Sequence, residues 1–233
     1  MEVEENISVQ SRFSDAPWAK NAEDKHIIIG GVGGIGSWTT LFLSSIGYTL
    51  HLFDFDIIEK HNLGGQFYNL NQLGLKKTEA IIESVKSFRE SENIFTYEKY
   101  DKDSMISPIM VSCFDNMEAR KSMFENWKAQ EDRVAFIDGR MQAEIGMYYC
   151  VLPGQEEMYE KELFEDSDVE ELNCNYKATT HCGAFIGSQL TSLITNVIYN
   201  KEFEASIRAT PFKTEFEMPM LNIQTINYDS SNK

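Results

Sequence analysis

No feature restricts the fold of this 233-residue chain as much as His26-Ile27-Ile28-Ile29-Gly30 running into Gly31-Val32-Gly33-Gly34-Ile35-Gly36. A short apolar run that stops at glycines reads as a buried parallel strand. After Gly36, residues Trp38, Leu41, Phe42 and Ile46 fall on one helical face, with Gly47 as the expected C-terminal stop. Strand, Gly-x-Gly-x-x-Gly and helix in that order have a physical logic. Gly31 permits the tight turn, Gly33 lets backbone approach a phosphate, and Gly36 allows close helix-to-strand packing. The first helical turn then offers free N–H groups and a partial positive charge to an anion. Gly34 belongs to the same loop. Asp54, at the end of the following strand Thr49–Asp56, stands where a carboxylate grips ribose hydroxyls. The competing reading is a tight turn with no ligand.

The rest of the chain alternates in the same way. Ile81, Ile82, Val85 and Phe88 predict a helix within residues 72–88, and the run from Ile109 predicts a strand. Met117, Met123, Phe124 and Trp127 predict the next helix, and the runs from Val134 and Ile145 predict two more strands. Residues 154–180 are acidic, with little apolar periodicity, and read as a crossover loop. Ile186, Leu190, Leu193, Ile194, Val197 and Ile198 form one stripe of a C-terminal amphipathic helix. The expected fold is therefore α/β: a Rossmann-like, mostly parallel sheet with helices on both faces, plus an antiparallel extension. The expected organisation is an N-terminal arm (1–24), a nucleotide-binding domain (25–204) and a tail (205–233) that adds an extended strand.

Composition removes several alternatives. Hydrophobic residues make up 42% and aromatics 12%, enough for a real core. With 21 basic and 37 acidic residues the formal charge is −16, which argues against non-specific binding to nucleic acid or an anionic membrane. A nucleotide site must then be a local positive pocket on an acidic body. No stretch approaches the roughly 18 apolar residues a membrane span needs. The opening MEVEEN shows no signal peptide. A cytoplasmic protein with free thiols is expected. Its four cysteines, Cys113, Cys150, Cys174 and Cys182, make no C-x-x-C pair, so no structural zinc is expected.

The loop and its acid suit NAD as well as ATP; the next segment separates them. Asp54-Phe55-Asp56-Ile57-Ile58-Glu59-Lys60-His61-Asn62-Leu63-Gly64-Gly65-Gln66 resembles the D-F-D-x-V-E-x-S-N-L-x-R-Q signature of the ThiF/MoeB/HesA family, bacterial relatives of ubiquitin-activating enzymes. Gly74-Leu75-Lys76-Lys77 is similar to its G-x-x-K, and Cys113-Phe114-Asp115-Asn116 with Arg120 to its C-x-D-N-x-x-x-R. The resemblance covers about residues 26 to 140, and Gly187 and Gln189 loosely match its last helix. It implies an ATP- and magnesium-dependent adenylyltransferase acting on the C-terminal glycine of a small ubiquitin-like protein or peptide, working as a homodimer. Asp54 would hold ribose, Asn62 and Lys77 would contact phosphates, and Asp115 would bind magnesium and serve catalysis with Lys77. Asp56 and Gln66, inside the signature, join the nucleotide-binding set. Magnesium takes one or two carboxylates together with phosphate oxygens, which suits Asp115 at a strand end.

Each residue also has a plainer reading: Asn62 as a turn cap, Lys77 as a solvated helix charge, Asp115 as the cap of the helix after it. One departure bears on activity. The family carries an arginine, facing the triphosphate, where this chain has Gly65. Arg140 or the arm residue Arg12 could supply that charge. For Arg140 the competing reading is a structural ion pair, and for Arg12 a solvated charge. In the family an arm arginine crosses into the partner subunit's ATP site. Some members pass the acyl group to a crossover cysteine, which makes Cys174 the candidate nucleophile here, with Cys182 a weaker one. Two further functions stay open: a nicotinamide-dependent oxidoreductase, and a catalytically silent nucleotide-binding scaffold.

Overall fold

The computed structural model describes residues 15–89, 93–142, 144–164, 180–218 and 220–227. Its centre is an eight-stranded sheet. Strands β1 (His26–Gly30), β2 (Thr49–Phe53), β3 (Ile94–Tyr97), β4 (Ile109–Ser112) and β5 (Ala135–Gln142) run parallel in the order β3-β2-β1-β4-β5. Strands β6 (Ile145–Val151), β7 (Lys213–Glu217) and β8 (Asn222–Ile226) extend it antiparallel beyond β5. The expected mostly parallel sheet with an antiparallel extension is present, and the end of the chain adds two strands rather than one.

Helices cover both faces, which is why Ile27–Ile29 of β1 and Ile109–Val111 of β4 are unbroken apolar runs rather than alternating. On one side α1 (Gly36–Ser44), α2 (Lys77–Lys86) and α5 (Thr180–Glu202) pack Leu43, Ile81, Val85, Ile186 and Leu190 against Ile27, Ile29, Leu50, Leu52 and Val111. On the other, α3 (Met117–Lys128) and the short α4 (Glu156–Glu160) set Phe124, Trp127 and Tyr159 against Ile28, Met110 and Phe136. Burying each such side chain is worth about 1.5–3 kcal/mol. α5 lies close on α1 because a Cβ on Gly187 would stand 2.9 Å from Trp38 Cβ, a gap only glycine leaves open.

Three elements differ from the expectation. The helix expected within 72–88 begins at Lys77, because Gly74 takes φ +83 and Ile57 bridges Lys76 in an antiparallel pair. β3 has no apolar alternation to announce it, since Ile94 is buried but Phe95, Thr96 and Tyr97 are exposed at the sheet edge. The stretch read as an uninterrupted crossover loop contains α4, whose Tyr159 is fully buried.

Candidate functional site

Order along the sheet reverses between β1 and β4, since β1 leads to β2 on one side and β4 lies on the other. Open α/β sheets bind ligands in the crevice beyond the strand ends at such a switch point. The glycine loop fills that position. Gly31 takes φ +83 and a Cβ there would lie 2.7 Å from the Cys113 carbonyl oxygen, while a Cβ on Gly36 would lie 1.9 Å from that of Gly31. Both must be glycine for reasons of chain packing. Gly33 is different: its Cβ would meet nothing nearer than Gln66 Nε2 at 3.9 Å, so the space above it is open. Gly34 is crowded from outside, by Met141 Cε and, at its carbonyl, by Gly183 of α5. The amides of Gly33, Gly34 and Ile35 donate to no acceptor among the described residues. Unpaired amides at a helix start are the equipment of an anion cradle.

Asp54 ties this loop to the end of β2. One carboxylate oxygen accepts the Val32 amide and the other the Asp56 amide, both at 2.9 Å. Burial raises its pKa, and Lys77 together with the two amides opposes that shift only in part. Lys77 opens α2, is buried, and places Nζ 2.6 Å from Asp56 Oδ2. It is a paired, buried ammonium rather than a solvated helix charge. Asn62 does cap a turn: its Oδ1 accepts the Glu59 amide at 2.8 Å across the 3-10 turn Lys60–Gly64. The cap of α3 is Asn116, whose Oδ1 accepts the Ala119 amide at 2.8 Å; Asp115 before it is exposed and accepts from Asn116 Nδ2 at 3.4 Å.

One pocket of about 1190 Å³ joins these residues; Gly31, Gly33, Gly34, Asp54, Asp56, Asn62, Gln66, Lys77 and Asp115 all line it. Gly36 lies buried behind the loop. A side lobe of about 340 Å³ is shared by Asp56, Glu59, His61, Asn62, Gln66, Lys77 and Asp115. Gln66 Oε1 is buried there without a hydrogen-bond partner among the described residues. Among the described residues no cluster of three or more His, Cys, Asp or Glu could hold a metal by itself. Asp115 and Asp56 in one lobe nevertheless fit a magnesium ion that draws its remaining ligands from phosphate oxygens and water.

Arg140 lines the pocket, but its guanidinium is committed. It pairs with Asp138 at 2.7 Å, donates to the Glu162 carbonyl at 2.9 Å and stacks 4.6 Å from the Tyr149 ring centre. Arg120 meets the other Asp138 oxygen at 2.8 Å, and Tyr159 donates to Asp138 at 2.8 Å. Burial alone would raise the Asp138 pKa, yet the two guanidiniums outweigh it and hold the carboxylate low. The structural ion pair is therefore the reading that holds for Arg140. The family motif includes Arg120 without giving it a role, and Asp138 lies outside that motif. An acid inside the apolar run VAFIDG was the available signal, because a buried carboxylate needs partners.

Three thiols are enclosed. Burial pushes Cys113 and Cys150 up to about 12 and Cys182 up to about 11, which makes Cys182 a poor nucleophile. Arg12 and Cys174 lie outside the described residues. No helix among the described residues is long and apolar enough to cross a membrane.

A switch-point pocket, a glycine loop with unpaired amides and an acid ending the second strand together define a Rossmann-like α/β domain of the nucleotide-binding class. Within that class the chain belongs to the ThiF family, whose model matches residues 5–232. It is 34% identical over 118 residues to ubiquitin-like modifier-activating enzyme 5 of Culex quinquefasciatus, covering 42% of this chain and 30% of that protein. With the protein of the same name from Drosophila persimilis it shares 31% over 138 residues, 51% of this chain and 36% of the other. The chain thus spans about a third of the curated relatives it matches. Among solved structures, E. coli MccB with MccA-N7isoASN superposes with a TM-score of 0.71 at 14% identity, covering 95% of this chain and 72% of MccB. MccB with ATP gives 0.67 at 17% identity, covering 91% and 66%. These two show a shared fold.

Proposed function

We propose that this chain binds ATP with magnesium and adenylates the C-terminal carboxylate of a small ubiquitin-like protein or of a peptide ending in glycine. The observation that carries the reading is a single pocket joining the unpaired amides of Gly33, Gly34 and Ile35 to Lys77 and Asp115. Family membership supports it, as do relatives named for activating ubiquitin-like modifiers and a neighbour solved with ATP. At about 1190 Å³ the pocket exceeds the roughly 300–1,000 Å³ of most small-ligand sites, which leaves room for a chain terminus beside a nucleotide.

In the reaction an oxygen of the substrate carboxylate bonds to the α-phosphorus as the bond from that phosphorus to the β-bridging oxygen breaks. Pyrophosphate leaves with the electron pair, and an acyl adenylate remains. Little covalent work falls to the protein, so its residues align and neutralise. The loop amides receive phosphate oxygens. Asp54, with lone pairs beyond those given to Val32 and Asp56, accepts from ribose. Lys77 and Asn62 meet the outer phosphates. Asp115 and Asp56 would hold magnesium, which spreads the charge of the phosphates when bound.

On the same reading two copies pair in the cytoplasm and Arg12 crosses between them. Arg12→Ala should then lower exchange without lowering stability; unchanged exchange would remove Arg12 from the site. With the other thiols enclosed, transfer to a cysteine falls to Cys174. Cys174→Ala should keep exchange and lose any thioester, and a thioester surviving the change would refute the assignment.

The test of the whole is ATP–pyrophosphate exchange, screened against small proteins and peptides with C-terminal glycine. Exchange appearing with one of them is expected. Tight Mg-ATP binding without exchange for any of them would instead favour a silent scaffold, a reading supported by Gly65 in place of arginine. Thermal stabilisation by NADH but not Mg-ATP would favour an oxidoreductase.

A further inference from the structure

The side lobe beside the glycine loop presents an electrostatic problem. Of the residues lining it, Asp56, Glu59 and Asp115 are acids, and Lys77 and His61 are the only ones able to carry positive charge. Lys77 is already 2.6 Å from Asp56. Even with magnesium held by Asp56 and Asp115, Lys77 is then the lobe's one ammonium, and a polyphosphate carrying several charges calls for a further cation beside it. Arg120 and Arg140 line the main pocket but both are spent on Asp138. Lys99 lines the main pocket and not the lobe. Gly65, which also lines the main pocket, contributes no charge.

His61 is placed to supply what is missing. It sits on the 3-10 turn Lys60–Gly64, one position before Asn62, and lines both the main pocket and the lobe. Its side chain is 66% exposed, so packing does not account for the residue there. Its Nδ1 lies 3.3 Å from Glu59 Oε2. We infer that His61 is a polyphosphate-binding residue, donating from Nε2 to the outer phosphates of ATP and to departing pyrophosphate while Glu59 receives Nδ1–H. A ring that donates from both nitrogens carries both protons, so in the complex it is a cation. It takes the electrostatic place of a guanidinium at position 65. The charged groups that line the lobe with it are Glu59 on its own turn, Asp56 after β2, Lys77 at the start of α2 and Asp115 after β4.

The inference rests on the ATP reading of the pocket, and titration of Mg-ATP and of Mg-pyrophosphate into full-length protein separates the two. Native protein should bind both. His61→Ala should weaken each by about tenfold or more, the loss expected for one charge-assisted hydrogen bond to phosphate. His61→Arg should keep affinity near native, and Gly65→Arg placed in the His61→Ala background should restore it. Native affinity in His61→Ala overturns the inference and leaves the ATP site standing, as does a His61→Arg protein as weak as the alanine variant. A native protein that binds neither ligand overturns both.

Discussion

Gly33→Ala separates a loop built for the fold from one built for a ligand. A Cβ at Gly33 finds only Gln66 Nε2 at 3.9 Å, and Gly33 is absent from the positions with left-handed backbone. Alanine there should be tolerated and, by narrowing the unfolded ensemble, should stabilise the protein by about 0.4–1 kcal/mol. That raises Tm by about 1–4 °C for a chain of this size. The methyl, however, stands in the open space before the unpaired amides of Gly33, Gly34 and Ile35. A phosphate pushed outward loses charge-assisted hydrogen bonds worth about 1.5–3 kcal/mol each, so Mg-ATP affinity should fall at least about tenfold. Gly36→Ala is the contrast, because its Cβ would sit 1.9 Å from the Gly31 carbonyl oxygen and the backbone must shift. That substitution should cost about 1–3 kcal/mol or more and lower Tm whether or not ligand is present. Calorimetric melting and equilibrium ATP titration on both variants check the pair. Undiminished ATP affinity in a stable Gly33→Ala protein would refute the assignment of this loop as a phosphate cradle.

Two further outcomes follow from buried groups. Asp138→Asn leaves the buried Arg120 and Arg140 without a counter-charge and should cost about 3–5 kcal/mol by denaturant titration; a loss under about 1 kcal/mol would contradict the network. Because the folded pKa of Asp138 lies below its unfolded value of about 3.9, its contribution is full at neutral pH and is lost as pH falls through the folded pKa. Native stability should therefore drop below about pH 4 more steeply than that of Asp138→Asn. Cys113, Cys150 and Cys182 should resist a thiol reagent in the folded protein, so at most one of the four cysteines reacts quickly at neutral pH. Two or more fast equivalents would show that the core around α5 opens.

Much of this architecture can be read from the chain because the signals are local. The apolar run His26–Ile29, the glycines after it and the stripe along α1 each announce their element within a dozen residues. Gly31, Gly36 and Asp54 follow from the same arithmetic, as backbone geometry at a strand-to-helix turn leaves few residue types. The ordered signature from Asp54 to Lys77, with Asp115, carries the resemblance to the ThiF family, because it depends on residue order alone. Other features depend on residues far apart in the chain. β3 is a strand because Leu50 and Phe53 pair with it, not because Ile94–Tyr97 alternates. The helix after Gly74 starts late because Ile57 pairs with Lys76. That Arg140 is spent on Asp138, that Asn116 rather than Asp115 is the N-cap of α3, and that His61 shares a lobe with Lys77 were all decided by the assembled sheet. Charge pairing acts through space and carries no period along the chain, so only the tertiary structure shows which cations remain for a ligand.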